Sequence, residues 1–171
     1  MKTTLYMAIS ANGIIATETG DENFLSHENW KKFCELARKY GNFVVGRKTY
    51  EAVKKWDGGY NFDDLVGVEK VVISQDKSLQ LDKGYVLASS PQDALAKLSR
   101  FENVLVTGGA NINSAFAKAN LLDKIILNVE PVFVGKGIPL FAPQDFEIKT
   151  KLLSVDKSES GIITLRYEVL K

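Results

Sequence analysis

Short apolar runs alternate with amphipathic segments along the first two-thirds of the chain. The runs are rich in Val, Ile and Leu and end in turn-forming residues, which predicts buried strands. Between them, apolar side chains recur at helical spacing, as in Trp30, Phe33 and Leu36. The pattern predicts strands at 4–9, 42–45, 70–74, 84–88, 104–106, 124–134, 146–155 and 161–170, and helices at 26–40, at 50–56, from Pro91, and from 110 to about 121.

This alternation indicates an α/β fold. Strands that alternate with helices favour a largely parallel sheet covered by helices on both faces, and the last two strands, joined by a turn at 156–160, add an antiparallel hairpin. The 171 residues contain no linker, repeat or low-complexity stretch and suffice for one substantial core, so we predict a single domain over 1–171.

Composition narrows the function classes. Lys and Arg number 22 against 21 Asp and Glu, which gives no global field for nucleic acid or for an anionic membrane. One cysteine, Cys34, and one histidine, His27, favour neither a disulfide nor a zinc site. No segment reads as a signal peptide or a membrane span. We therefore expect a cytoplasmic protein without a metal, whose binding site is local.

The stretch from 103 to 116 is the first candidate for such a site. A buried strand runs into Gly108-Gly109 and then into a helical pattern. Adjacent glycines let a ligand approach the main chain, and the free N–H groups of the following helical turn attract anions. A tight strand-to-helix turn is the alternative interpretation. The dinucleotide fingerprint G-x-G-x-x-G is absent, which excludes a standard Rossmann domain.

Two further strand ends carry polar groups. Gly46-Arg47-Lys48-Thr49 and Ser74-Gln75-Asp76 each follow an apolar strand. Ligands of open α/β sheets bind outside the carboxyl ends of strands, so these loops and the glycine pair are expected to share one crevice. Arg47 and Thr49 suit a phosphate and Ser74 offers a hydroxyl, although each taken singly has a structural interpretation.

Several motifs in order resemble the dihydrofolate reductase superfamily over nearly the whole chain. They are the stretches at 8–16, 44–51, 72–74 and 107–110. In detail the chain is more similar to the reductase domain of the bifunctional riboflavin-biosynthesis deaminase-reductase, through Leu122-Asp123, Pro131-Val132, Gly135, Gly137 and Pro139-Leu140-Phe141. The resemblance implies a dihydrofolate reductase-like three-layer α/β/α fold with a mixed, mainly parallel eight-stranded sheet.

The resemblance also implies NADPH as the cofactor. It assigns Arg47, Thr49 and Ser74 to the adenosine-side phosphates, including the 2′-phosphate. It assigns Gly108, Gly109, Ala110, Asn111 and Ile112 to the pyrophosphate, and Ala8, Ile15 and Ala16 to the nicotinamide. Gly46, Lys48 and Thr107 are further expected cofactor-binding residues. The resemblance further implies a cis peptide between Gly108 and Gly109.

The substrate positions depart from both relatives. Where dihydrofolate reductases carry a carboxylate, four residues before the pocket residue Phe33, this chain has Asn29, with Glu28 beside it. Riboflavin-type reductases usually have acidic residues where Asn12 and Thr107 stand. Asn29, Phe33 and Asn128 are the expected substrate residues, and Asn12, Glu28 and Asn29 are candidates for orienting or protonating the substrate.

We therefore expect an NADPH-dependent reductase of a small molecule. It resembles 5-amino-6-(5-phosphoribosylamino)uracil reductase and is expected to pass a hydride to a pyrimidine- or pterin-like ring. Folate reduction, supported by Glu28 alone, is one alternative, and a non-catalytic NADPH-binding module is another. The resemblance also implies a homodimer.

Overall fold

The computed structural model describes all residues from 1 to 171. It contains ten strands: β1 (Lys2–Ser10), β2 (Ile14–Ala16), β3 (Asn42–Gly46), β4 (Glu69–Ile73), β5 (Tyr85–Ala88), β6 (Asn103–Val106), β7 (Lys124–Glu130), β8 (Ile138–Pro139), β9 (Lys149–Lys157) and β10 (Ile163–Leu170). Its α-helices are α1 (His27–Tyr40), α2 (Arg47–Val53), α3 (Pro91–Lys97) and α4 (Ala110–Lys118), and a short 3-10 helix covers Phe62–Asp64.

Eight of the strands form one mixed sheet in the order β5-β4-β3-β6-β1-β7-β10-β9. The pairs from β5 to β7 are all parallel, whereas β10 runs antiparallel to β7 and β9 antiparallel to β10. The predicted fold class, including the antiparallel C-terminal hairpin, is confirmed. In the central register, Ala8 of β1 lies beside Asn128 of β7, and Ser10 lies beside Glu130.

The pleat of the sheet separates two hydrophobic cores. In β1, Leu5 and Met7 belong to one core and Tyr6 to the other, because successive side chains of a strand point to opposite faces. The first core also contains Phe116 of α4, and the second contains Phe33 of α1. Helices α3 and α4 thus cover one face and helices α1 and α2 cover the other.

The structure corrects several predicted boundaries. Helix α2 begins at Arg47 rather than at 50, because Gly46 in extended conformation already occupies its N-cap position. Strand β7 stops at Glu130, before Pro131, whose ring nitrogen cannot donate to a ladder. A second, two-stranded antiparallel sheet of β2 and β8 was not predicted. It fixes the residues after the first turn against the segment before Leu140.

None of the helices combines the length and the apolar character needed to cross a membrane.

Candidate functional site

The carboxyl ends of β3 and β6 are locked together. The amide of Gly46 donates to the carbonyl of Gly108 at 2.8 Å, and the amide of Thr107 donates to the carbonyl of Val44 at 3.0 Å. A Cβ on Gly46 would lie 2.6 Å from Cγ1 of Ile112, so only glycine fits there. Two of the three predicted ligand loops are therefore in direct contact.

The glycine pair has the backbone that its candidate role requires. Gly108 has φ +89°, in the region where glycine is favoured, and its peptide bond to Gly109 is cis, as the resemblance implies. Gly109 is the N-cap of α4, so the first amides of that helix have no partner within it. The position of a Cβ on Gly109 lies 3.1 Å from Oγ1 of Thr49. Thr49 therefore borders the same backbone.

These loops open into one large cleft of about 1480 Å³. The cleft brings together most of the residues named from the sequence. Its lining contains Ala8, Ile15, Ala16, Gly46, Arg47, Lys48, Thr49, Ser74, Thr107, Gly109, Ala110, Asn111 and Ile112, together with Asn29 and Phe33. Gly108, Asn12, Glu28 and Asn128 do not line it.

At one end of the cleft, Arg47 is shared between two carboxylates. Its guanidinium donates to Glu51 at 2.8 Å and to Asp76 at 3.3 Å, and the three side chains are 42–43% exposed. Hydrogen bonds from Ser78, with a smaller contribution from Arg47, hold the pKa of Asp76 below its usual value. Arg47 is therefore held in an exposed, exchangeable ion pair, and Lys48 and Lys55 line the same cleft without an ion-pair partner. We call this region the Arg47 end.

At the other end, aromatic rings form a wall. Trp30 packs edge-on against Tyr60 with ring centroids 5.4 Å apart and stacks on Phe62 at 5.7 Å. Phe33, 4% exposed, lies 5.4 Å from Trp30. All four rings line the cleft, and flat apolar walls of this kind suit a planar ring.

Behind this wall lies a chain of hydrogen-bonded polar side chains, here called the buried network: Tyr6, Asn29, Asn128, Glu130 and Thr164. Asn128 Nδ2 donates to the Tyr6 hydroxyl at 2.9 Å and to Asn29 Oδ1 at 2.8 Å. Its Oδ1 accepts from the Thr164 hydroxyl at 2.7 Å. Burial raises the pKa of Tyr6, which keeps that phenol neutral. Two members of the network, Tyr6 and Asn29, line the cleft, and Asn29 is the one with an amide side chain.

Glu130 anchors the network. One of its oxygens accepts from Asn29 Nδ2 at 2.5 Å and from the backbone amide of Ser26 at 2.6 Å. Glu130 is 6% exposed. Ser26 lines the cleft, and its hydroxyl is buried without a hydrogen-bond partner. A buried hydroxyl without a partner is costly, so this side of the network is not fully satisfied within the chain.

Glu22, like Glu130, is a carboxyl at this site that was not predicted from the sequence. It lines the cleft in the loop after β2 and makes no side-chain hydrogen bond or ion pair. Burial, with a smaller contribution from Asp21, raises its pKa to about 8. Nearby Glu18 pairs with Lys136 at 3.2 Å, and Asp21 accepts two bonds from Asn23. Glu22 is therefore a carboxyl that keeps its proton at neutral pH.

A family model decides which proteins share this arrangement. The model of the RibD C-terminal domain matches residues 1–164. The chain belongs to the RibD C-terminal domain family. This agrees with the resemblance that the motifs carried.

Known members and neighbours of the RibD C-terminal domain family show how far the likeness extends. The uncharacterized protein YwjB of Bacillus subtilis is 30% identical over an alignment of 156 positions that covers 88% of this chain and 88% of that one. RibD of Acinetobacter baumannii superposes with a TM-score of 0.77 at 19% identity, over 99% of this chain and 58% of that one. Dihydrofolate reductase of Enterococcus faecalis, solved with NADP(H), gives 0.75 at 17% identity, over 99% and 97%.

Two candidate residues of this RibD C-terminal domain point away from the cleft. Glu28 accepts from the hydroxyl of Ser160 at 2.6 Å and pairs with Lys32 at 3.0 Å, and these bonds lower its pKa. It lines a different groove, of about 500 Å³, between α1 and the strands β7, β9 and β10. Asn12 bridges its own turn to Val134, donating to that carbonyl at 2.8 Å. Both side chains therefore have hydrogen-bond partners outside the cleft, and neither lies against the aromatic wall.

Asn128 has an intermediate position. It is fully buried within the network and lines the smaller groove between α1 and the sheet. It is connected to the cleft through Asn29 and Tyr6, to both of which it donates a hydrogen bond.

Proposed function

We propose that this chain is an NADPH-dependent reductase that passes a hydride to a pyrimidine- or pterin-like ring. The observation that carries the proposal is a single cleft in which a glycine-lined, anion-binding helix start and Arg47 lie at one end and an aromatic wall with a buried polar network lies at the other. A cleft of about 1480 Å³ has room for a dinucleotide and a second flat ligand.

The residues present fit the cofactor. Arg47, Lys48, Thr49 and Ser74 offer a cation pair and two hydroxyls for the adenosine-side phosphates, and the amides from Ala110 to Ile112, which line the cleft without partners in α4, would bind the pyrophosphate. Ala8, Ile15 and Ala16 would border the nicotinamide. The cofactor supplies the hydride, so the protein needs only to orient the ring, exclude water and provide a proton.

The proton source we propose is Glu22. Its carboxyl lies in the cleft, has no partner and stays protonated near neutral pH because burial penalises its ionised form. By contrast, Glu130 is already engaged by two donors. Glu22→Gln is expected to lower kcat strongly while leaving the NADPH dissociation constant unchanged.

Folate reduction remains the weaker alternative. Its support in the sequence is Glu28, whose carboxylate is bound by Ser160 and Lys32 in a separate groove outside the cleft. A non-catalytic NADPH-binding module is the other alternative, and the unpartnered Glu22 favours catalysis over it.

A test of the activity follows NADPH oxidation by the loss of nicotinamide absorbance, with uracil-type, pterin and dihydrofolate substrates in parallel. Turnover with an aminouracil supports the proposal. Turnover with dihydrofolate alone supports folate reduction. NADPH binding without turnover on any ring would sink the catalytic proposal.

We also propose a cytoplasmic homodimer joined at β9. This edge strand has no neighbour on its outer side and leaves Leu152, Leu153 and Val155 between 50% and 56% exposed. An unpaired, apolar edge favours association with another strand. Light scattering tests the proposal: we expect a dimer that Leu153→Glu dissociates, and a monomeric wild type would contradict it.

A further inference from the structure

Asn29 of α1 lines the ring-binding end of the cleft, and its amide donates a hydrogen bond to the buried carboxyl of Glu130 on β7. We propose that Glu130 is a positioning residue that holds the Asn29 amide in one orientation, so that the cleft selects neutral ring edges with one donor and one acceptor. This inference rests on the proposed reductase function, because it concerns the ring-binding end of the same cleft.

The hydrogen bonds determine the orientation of the amide. The Glu130 oxygen that faces Asn29 also accepts from the backbone amide of Ser26, so the Asn29 atom that faces it is the nitrogen. The Asn29 oxygen then faces Asn128 Nδ2 at 2.8 Å, and the oxygen of Asn128 accepts from Thr164 at 2.7 Å. Reversing Asn29 would bring its oxygen against a carboxylate and its nitrogen against another N–H donor. The orientation therefore starts at Glu130 and passes along the network.

Asn29 still has hydrogen-bonding capacity for a ligand. Its nitrogen has two N–H groups, of which one bonds Glu130, and its oxygen has two lone pairs, of which one accepts from Asn128. Asn29 lines the cleft although it is only 5% exposed. One donor and one acceptor therefore remain at a surface from which bulk water is largely excluded.

This pair of groups has a definite chemical complement. A neutral ring with adjacent N–H and C=O groups satisfies both, whereas a protonated aminopyrimidine offers two N–H donors and sets one of them against the Asn29 N–H. A carboxylate at this position would show the opposite preference, since it offers two acceptors. Buried polar groups left mispaired are the strongest source of such discrimination.

The two side chains allow an exchange that tests this directly. The double variant Asn29→Asp/Glu130→Gln keeps the net charge and side-chain sizes while moving the carboxylate from β7 to α1. In the exchanged network, the Gln nitrogen can donate to the Asp carboxylate. Because one Glu130 oxygen accepts from both Asn29 and Ser26, the Gln side chain must turn to keep its oxygen on the Ser26 amide.

The experiment is a calorimetric titration of each protein, with and without NADPH, using 5,6-diaminouracil and 2,4-diaminopyrimidine as probes. The pH is set below the ring pKa of the diaminopyrimidine, so that it presents two donors. We expect the wild type to prefer the uracil by about tenfold and the exchanged variant to reverse that preference. Equal wild-type affinities, or a uracil preference retained by a folded variant, would overturn the inference.

Two controls separate the possible failures. Glu35→Gln removes an exposed carboxylate from the smaller groove between α1 and the sheet and should leave the preference unchanged; a similar shift there would attribute the effect to general electrostatics and overturn the inference. If the exchanged variant does not fold, the wild-type ratio still decides. A wild-type uracil preference without NADPH binding would sink the reductase proposal but support this one.

Discussion

The two ends of the cleft use polar groups in opposite ways. At the Arg47 end, one guanidinium and two carboxylates are each more than two-fifths exposed. At the Asn29 end, five side chains form a continuous hydrogen-bonded network in which Asn128 is completely buried. Exposed ion pairs contribute little to stability and exchange partners easily, whereas a buried network loses much when one member is removed. Substitutions at the first end should change binding, and those at the second should change folding as well.

The largest expected effect comes from removing the centre of the buried network. Asn128→Leu keeps the volume but leaves the Thr164 hydroxyl and the Asn29 oxygen without their partners. We expect the free energy of unfolding, from urea titration, to fall by about 3 kcal/mol. Arg47→Leu is the matched substitution at the other end and should change it by less than about 0.5 kcal/mol. Equal losses of unfolding free energy in the two variants would contradict this difference between the two ends of the cleft.

The second effect concerns binding. Arg47→Ala should raise the NADPH dissociation constant by about tenfold to a hundredfold, because charge-assisted bonds to a phosphate contribute about 1.5–3 kcal/mol. Arg100, an exposed arginine paired with Glu69, does not line the cleft, and Arg100→Ala should leave NADPH affinity as it is. An unchanged dissociation constant in Arg47→Ala would contradict the assignment of Arg47.

Glu22 lies between the two extremes, since it is partly buried but unpaired. Its pKa is about 8 in the folded protein against 4.5 ordinarily, so the folded state binds the extra proton between those values. The free energy of unfolding should therefore fall by on the order of 1–2 kcal/mol as pH rises from about 4.5 to about 8.

In Glu22→Gln this decline should disappear, whereas Glu18→Gln, at an exposed carboxylate paired with Lys136, should keep it. Urea titrations at the two ends of that pH range supply the measurement. A wild-type stability that rises across the range would show that Glu22 is ionised in the folded protein.

The smallest effect tests the carboxylates that compete for Arg47. Asp76→Asn removes one of them and should strengthen NADPH binding by roughly twofold to fivefold, an effect that shrinks at higher salt. Binding of NADH, which has no 2′-phosphate, should not change. A weaker affinity for NADPH in the variant would mean that Asp76 itself contacts the cofactor.

Sequence patterns predicted the sheet well because its strands are buried and strongly apolar. The short strands β2 and β8, of three and two residues, were missed because so few residues carry no recognisable period. The two strands pair because the tertiary fold brings residues 14–16 against residues 138–139, which are far away along the chain.

The site was predicted less completely. The loop with the glycine pair and the loop with the Arg-x-Thr pattern can be recognised from their sequences alone, and both loops line the cleft. Glu28 and Asn29 are adjacent, but neighbours on a helix point about 100° apart, so one faces Ser160 and the other the cleft. Glu130 reads as the end of an apolar strand before Pro131, and Glu22 as one polar residue in a polar loop. Only their folded surroundings distinguish them.

The central claim is that the cleft holds a phosphorylated nicotinamide dinucleotide with its adenosine side at Arg47. Titration of the protein with NADPH and, separately, with NADH, followed by nicotinamide fluorescence, tests it most directly. We expect saturable binding of both dinucleotides, with NADPH the tighter ligand. If neither NADPH nor NADH binds, the Gly108-Gly109 turn is structural in this chain, and that result would contradict the assignment of the cleft.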